Sequence, residues 1–385
     1  MDQWPDYVRQ CFDGLRRVGR RGYLVGGCVR DLVMGRGPDD YDMATDARPE
    51  EVMSVFPRTY PTGLKHGTVT VALDGGTVEV TTFRAEGSYS DGRHPDGVRF
   101  VPSLEEDLAR RDFTMNAMAM GEDGILVDPF GGRDDLKAGR IRCVGEAGRR
   151  FREDGLRMFR GLRFAAQLGF AFEAETENAV RQCVEGAEAV SAERIRVEVE
   201  KLICAGEPQR GAELFSLGLM DRWLPRTEVD LTGLTWLEPV PLERWAGLCA
   251  LLDAEPGALL RGLKAEKKLC CAVSAGWDLR SAGLPEDGYG WRKALSQFGP
   301  DGCRTAAAMG DVQAGETHRK ALEETLASGN CWTTKGLALS GGELRAMGYA
   351  GPEIGRMQAR LLDEVLRHPE WNAPDRLRRL AQELE

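Results

Sequence analysis

Leu24-Val25-Gly26-Gly27-Cys28-Val29-Arg30-Asp31, followed shortly by Asp40-Tyr41-Asp42, decides how this chain is read. Apolar β-formers run into a glycine pair and then into helix-forming residues, which predicts a short buried strand, a turn and the start of a helix. Gly26 and Gly27 lack Cβ atoms, so backbone N–H groups can approach a triphosphate, and a helix start adds a favourable partial charge. Arg30 is placed to pair with phosphate in a fork geometry. Asp40 and Asp42, two residues apart on a predicted strand, point to the same side. There they can share hard divalent cations at a phosphoryl-transfer centre. Read alone, the glycines are equally an ordinary strand-to-helix turn and the carboxylates equally a solvated pair. Their order along the chain points to a nucleotide-handling enzyme. No Gly-x4-Gly-Lys-Ser/Thr occurs, which excludes a P-loop ATPase.

Around this stretch the first 140 residues alternate in character. Asp6 to Arg20 reads as an amphipathic helix, Tyr41 to Thr45 as a strand and Arg48 to Phe56 as a helix. His66 to Ala72 and Thr77 to Phe83 alternate β-formers around Asp74-Gly75-Gly76, a hairpin signal. A two-metal site usually needs a third carboxylate, and Glu79 lies centrally in the second of these strands. A surface glutamate is the plainer reading of it. Ala85 to Gly97 is polar and without period, a predicted loop, and Val98 to Val101 is expected to return to the sheet. Arg110-Arg111-Asp112-Phe113-Thr114-Met115-Asn116-Ala117 offers rigid donors, Arg111 and Asn116 among them, suited to phosphates and ribose. A basic helix start capped by Asp112 is the alternative.

After about residue 140 the β signal disappears, and Ala147 to Leu168, Glu173 to Val184 and Ala192 to Cys204 carry helical spacing. The remainder is helical, punctuated by Gly and Pro as at Phe298-Gly299-Pro300. The predicted fold class is α+β: a small mixed-sheet head followed by an elongated all-helical remainder, with boundaries near 140, 205 and 300. Phe151 to Leu168 is expected to be one helix on which Asp154, Arg157, Arg160 and Arg163 form an i, i+3 row. Such a row rises roughly 13 Å, comparable with an extended nucleoside triphosphate. Asp154 and Arg157 would meet the Watson–Crick edge of a base, leaving Arg160 and Arg163 for phosphates. A salt-bridged exposed helix is the alternative.

At 385 residues the chain exceeds one ordinary core. The net charge of −10 weighs against nucleic acid, yet Arg142, Arg149, Arg150, Arg152, Arg157, Arg160 and Arg163 crowd one window against Glu146, Glu153 and Asp154. A locally basic surface on an acidic protein suits an RNA held briefly and released. The ten cysteines include no Cys-x-x-Cys and read as buried small apolar residues of a reducing compartment. Trp236, Trp245, Trp277, Trp291 and Trp332 are expected in the core. No apolar run approaches the roughly 18 to 20 residues of a membrane span, and the N-terminus carries no signal-peptide pattern. A cytoplasmic protein without a membrane partner is the expectation.

Together the motifs resemble the bacterial class II CCA-adding tRNA nucleotidyltransferases of the DNA polymerase beta superfamily. The resemblance rests on Gly26-Gly27-x-x-Arg30-Asp31 with Asp40-x-Asp42, and on the Arg110 to Ala117 stretch. It rests also on Asp128-Pro129-Phe130-Gly131-Gly132, Glu153-Asp154-x-x-Arg157 with Arg160-x-x-Arg163-Phe164, and Glu193-Arg194-x-x-x-Glu198. It covers about residues 22 to 200; beyond 205 the likeness is one of helical composition. The resemblance implies a catalytic head (1–140), a neck carrying the nucleotide-selecting helices (141–205), a body (206–300) and a tRNA-binding tail (301–385). It implies addition of C, C and A to the tRNA 3′ end from CTP and ATP, with Mg2+ on Asp40 and Asp42 and with Glu79 as a further catalytic carboxylate. It implies Gly26, Gly27, Arg30, Arg111, Asn116, Asp154, Arg157, Arg160 and Arg163 as nucleotide-binding residues. The acceptor arm of tRNA is the implied partner, and whether the chain forms a homodimer stays open.

CC-only relatives lack part of the loop before the Arg-Arg-Asp motif. Here Gly87 to Pro95 looks complete, with Asp91 and Arg93 available to move the pocket from C to A selection, which favours full CCA addition over A-only. Poly(A) synthesis would call for a long basic C-terminal extension, a non-catalytic RNA-binding relative would tolerate loss at Asp40 or Asp42, and a small-molecule nucleotidyltransferase leaves the helical two-thirds without a purpose.

Overall fold

The computed structural model describes residues 4–86, 98–315 and 317–384, and close packing divides the chain into two units. The first comprises Met1–Glu198 with Ser216–Arg222, the second Val199–Phe215 with Trp223–Glu385.

The first unit opens with α1 (Asp6–Arg17), which buries Val8, Cys11, Phe12 and Leu15 and carries Asp6 in its first turn and Arg16 and Arg17 in its last. These charges oppose the helix dipole, and each buried apolar side chain contributes about 2 kcal/mol. There follow β1 (Gly22–Val25), α2 (Gly27–Val33), β2 (Tyr41–Thr45), α3 (Pro49–Val55), β3 (Thr59–Gly63), β4 (Thr68–Leu73) and β5 (Gly76–Thr82). Next come β6 (Arg84–Glu86), β7 (Val98–Phe100), α4 (Leu104–Ala109), β8 (Ala119–Met120), β9 (Leu126–Val127) and α5 (Gly132–Lys137). After these come β10 (Arg140–Ile141), α6 (Ala147–Glu153), α7 (Leu156–Leu168), β11 (Ala171–Phe172), α8 (Ala174–Gln182) and α9 (Ala192–Ile203).

A seven-stranded mixed sheet has the order β3-β4-β5-β2-β1-β8-β9. The predicted hairpin is β4–β5, and its alternation buries Val69, Val71, Val78 and Val80 while Glu79 stays exposed. β2 and β5 run parallel in a register that sets Asp42 opposite Glu79. Every other pairing in this sheet is antiparallel.

Several expectations need correction. Val98–Phe100 does not rejoin the main sheet but pairs with β6 in a separate two-stranded ladder. The β signal does not end at 140, because Arg140–Ile141 and Ala171–Phe172 form a parallel two-residue ladder. Elements that short carry no periodicity a sequence reading can detect. The helix expected over Phe151 to Leu168 is broken at Asp154.

Past Ile203 the described second unit is helical, with helices at Pro241–Leu251, Lys267–Ala282, Pro352–Arg367 and Pro374–Glu383 among them. Gly299, at φ 69°, and Pro300 break the helical stretch from Gly288 to Ala314 where expected, since proline tolerates only a first-turn position. Trp245 and Trp291 are fully buried, but Trp236 is exposed, contrary to its expected place in the core. Among the described residues every cysteine is free and most are buried, although Cys271 is exposed. No described helix is long and apolar enough to cross a membrane.

Candidate active site

The first half of the candidate site is assembled at the end of β1. Gly26 has φ 75° and ψ −133°, a conformation open to glycine and strained for any other residue. A Cβ there would lie 3.2 Å from Arg111 Nη1 and 3.8 Å from Asp42 Oδ2, so this turn is where Arg111 and Asp42 converge. Arg30, on the helix that starts at Gly27, donates from Nη1 to Asn116 Oδ1 at 3.1 Å and pairs with Asp31. Asn116 Nδ2 in turn donates to Asp112 Oδ1 at 3.3 Å.

Asp42 is on β2, but Asp40 lies in the bend just before it rather than on the strand. Burial, then the neighbouring charges of Asp40 and Glu79, push the Asp42 carboxyl up to about 6, with Arg111 acting against them. Crowded like charges of this kind are what a hard cation relieves, and two carboxylates supply the oxygen donors it prefers. The pair fits a divalent metal on that ground. A ready three-ligand cage is not formed: among the described residues no group of three His, Cys, Asp or Glu side chains is arranged to hold a metal ion.

The second half of the candidate site centres on the break between α6 and α7. Asp154 is extended (φ −149°, ψ 106°), so it is not on the helix with Arg157, Arg160 and Arg163. The cause is tertiary. A Cβ on Gly155 would sit 2.2 Å from the Gly186 carbonyl oxygen, so two backbones touch at a place that only glycine can occupy. Asp154 Oδ1 accepts the Leu156 N–H at 3.0 Å, which caps α7, and Arg194 grips both carboxylate oxygens, at 3.3 and 2.7 Å.

Arg157, nearly buried, donates to Glu153 Oε2 at 2.8 Å and to the carbonyls of Arg150 (3.1 Å) and Arg110 (3.3 Å). Arg160 and Arg163, expected to be left for phosphates, are already engaged: Arg160 with Asp112 at 2.6 Å and Arg163 with Glu198 at 2.7 Å. Arg30, Arg160 and Arg163 all lie over the Phe164 ring, at 5.4, 5.5 and 4.0 Å. Their attraction to its face offsets part of their mutual repulsion.

Asp112 therefore joins the two halves, through Asn116 to Arg30 and directly to Arg160. Burial works to raise its carboxyl, but the charge and hydrogen bonds of Arg160, with those of Phe113 N–H and Asn116, outweigh burial and hold it at about 2. A folded value below the unfolded 3.8 means stability present above pH ~4 and lost as pH falls through about 2, worth about 2 kcal/mol. Asp112→Asn should therefore destabilise the chain at neutral pH. Its gap in denaturation midpoint from the parent should shrink as pH is lowered through that window. A gap constant across the window would show that this pair does not carry the effect.

All twelve residues expected at the site lie in the first unit. The structure joins Gly26, Arg111 and Asp42 at one place, and links Arg30, Asn116 and Arg160 through Asp112. Sequence reasoning quoted Asp31 and Phe164 as motif members without giving them a role, and it missed Asp107. Asp107 carried a local signal, since it stands three and four residues before Arg110 and Arg111, which follow directly on the end of its helix at Ala109. The segment 87–97, read as the loop that moves the pocket from C to A selection, lies outside the described residues.

Residues 22–142 match the family of the "Poly A polymerase head domain", and residues 169–231 that of the "Probable RNA and SrmB- binding site of polymerase A". The CCA-adding enzyme of Geobacillus stearothermophilus is 46% identical over 264 residues, 66% of this chain and 65% of that protein. That alignment spans slightly under two thirds of its relative. The CCA-adding enzyme of Limosilactobacillus fermentum is 36% identical over 375 residues, 93% of this chain and 92% of that protein. The chain belongs to the CCA-adding enzyme family. The crystal structure of the Bacillus stearothermophilus CCA-adding enzyme in complex with CTP superposes with a TM-score of 0.79 at 36% identity, covering 94% of this chain and 92% of that one. The Thermotoga maritima CCA-adding enzyme complexed with tRNA, at 20% identity and TM-score 0.67, shares the fold. The CCA-adding fold thus holds over both units, while the break at Asp154 falls between the two matched stretches.

Proposed function

We propose that this chain adds C, C and A to the 3′ end of tRNA, using CTP and ATP, releasing pyrophosphate and copying no nucleic-acid template. One observation carries the reading. Gly26, Arg111 and Asp42 converge at one end of a bonded network that runs through Asp107 and Arg110 to Arg157, whose backbone N–H donates to the Asp154 carbonyl at 3.0 Å. Family membership supports it, as does the CTP held by the B. stearothermophilus relative.

In this reading Gly26, Gly27, Arg30 and Arg111 hold the triphosphate, Asn116 the ribose, and Asp154 and Arg157 the base. Arg160 and Arg163 contribute positive potential from their bonded positions, and Glu79 supplies a further carboxylate beside Asp42. Asp40 and Asp42 would hold Mg2+, which when bound would lower the pKa of the attacking hydroxyl and stabilise the departing pyrophosphate. Asp154 accepts from the exocyclic amine of cytosine or adenine, and Arg157 donates to ring acceptors. Uracil and guanine present a carbonyl instead and leave the carboxylate facing an acceptor, a penalty of roughly 1–3 kcal/mol. One pocket can thereby accept two bases and refuse two.

We assign residues 1–140 to a catalytic head, 141–205 to a neck, 206–300 to a body and 301–385 to a tail that binds tRNA. RNA would be recognised by shape, phosphates and 2′-hydroxyls rather than by sequence, and a cytoplasmic site of action follows from a tRNA substrate. The test is incubation with tRNA ending at the discriminator base. CTP alone should extend it by CC, ATP alone should not extend it, and both together should give CCA. Extension only of tRNA already ending in CC would replace this reading with A-only addition.

A further inference from the structure

We propose that Asp107, which contacts no nucleotide in the reading above, is a positioning residue that sets both ends of the nucleotide site through the Arg110–Arg111 pair. The inference rests on Arg111 as a triphosphate ligand and Arg157 as a base reader.

Asp107 lies on α4 and is 1% exposed. Its Oδ1 accepts from Arg110 Nε at 3.0 Å and Nη2 at 2.9 Å, and from the Arg84 backbone N–H at 3.2 Å. Its Oδ2 accepts from Arg111 Nη2 at 3.3 Å. One buried carboxylate thus holds the side chains of two consecutive arginines and the first residue of β6. Burial works to raise its carboxyl, yet Arg110 and Arg111 bring it below the ordinary value.

From this anchor the contacts run two ways. The other terminal nitrogen of Arg111 reaches the glycine turn beside Asp42, 3.2 Å from where a Gly26 Cβ would stand. The Arg110 carbonyl accepts from Arg157 Nη2 and from Arg150 Nη1, each at 3.3 Å. The main chain whose side chains Asp107 clamps is therefore the acceptor that orients the base-reading arginine. An exposed i, i+4 pair contributes only about 0.3–0.5 kcal/mol. Here the carboxylate is sealed from water, and removing its charge leaves two arginines with a buried, poorer acceptor.

The test compares the full-length chain with Asp107→Asn and, as a control on the underlying reading, Arg111→Ala. Dissociation constants for CTP and for CMP are measured without tRNA, and incorporation of CTP against UTP with tRNA. Asp107→Asn should narrow the CTP:CMP affinity ratio about tenfold, the loss of one aligned charged contact, and should lower the preference for CTP over UTP several-fold. General loosening of the fold would weaken CTP and CMP alike and leave the ratio at its parental value, which overturns the proposal. If Arg111→Ala leaves the ratio unchanged, the triphosphate role of Arg111 is wrong. If Arg111→Ala narrows it and Asp107→Asn does not, the positioning role alone falls. Should Asp107→Asn not fold, Asp107→Glu keeps the charge but displaces it by one methylene. A narrowed ratio in that variant supports the proposal and a parental ratio overturns it.

Discussion

Asp40→Ala and Asp42→Ala should each abolish nucleotide incorporation while tRNA still binds. Charge stabilisation by a metal at a transferring phosphoryl group is worth several kcal/mol, and a loss of about 4 kcal/mol is a ~10³-fold fall in rate. Product-length assays in Mg2+ with a parallel tRNA-binding measurement check this, and turnover near the parental rate in either variant would sink the metal assignment. Asp42 carries a second expectation of opposite sign. Its folded value of about 6 lies above the ordinary 3.8, so the metal-free chain loses stability as pH rises from ~4 through ~6. After allowance for solvent screening at this half-buried group, the loss is about 1 to 2 kcal/mol. Asp42→Asn should be inactive yet melt higher than the parent at neutral pH without metal, the gain vanishing below pH ~4. An inactive variant that melts lower would point to a folding defect instead.

The second large effect is on the choice of base. A carboxylate offers about four acceptor positions, and at Asp154 the Leu156 N–H and the two Arg194 nitrogens take three of them. The remaining position, on Oδ2, is the one an exocyclic amine would use. Asp154→Ala removes it and should reduce discrimination against UTP and GTP by about tenfold to a hundredfold, the equivalent of 1–3 kcal/mol. Asp154→Asn is the sharper variant, since its amide N–H donates where the carboxylate could only accept, and it should raise UTP and GTP incorporation above that of Asp154→Ala. Arg157→Ala should relax selection too. Because Asp154 also caps α7, its removal costs about 1 kcal/mol of stability, and incorporation should be measured well below the melting temperature. Parental discrimination in all three variants would reject the base-reading role.

What the sequence disclosed follows from the range of the interactions involved. The β4–β5 hairpin and the Gly26–Gly27 turn are local patterns, in which a few neighbouring residues determine the backbone. The stop at Gly299-Pro300 is equally local. The break at Asp154 is not, because the glycine after it is required by a carbonyl at residue 186 that no window around 155 contains. The partners of Arg160 and Arg163 were out of reach for the same reason: Asp112 and Glu198 lie 48 and 35 positions away. Those arginines looked available as a helical row and are instead tied into the structure. Asp107 was nearest to being legible, and its importance lies in burial, which spacing alone does not report.

The touching backbones of Gly155 and Gly186 bear on anyone who would re-tool this pocket by random mutagenesis. Neither residue is part of the pocket's chemistry, yet any side chain at 155 collides with main chain, which has no rotamer to give way. Libraries that diversify this turn would consist largely of misfolded members, and those survivors would carry glycine at 155 again. A search for new nucleotide preferences is better spent on Arg194, which is partly exposed and grips Asp154 through its side chain alone.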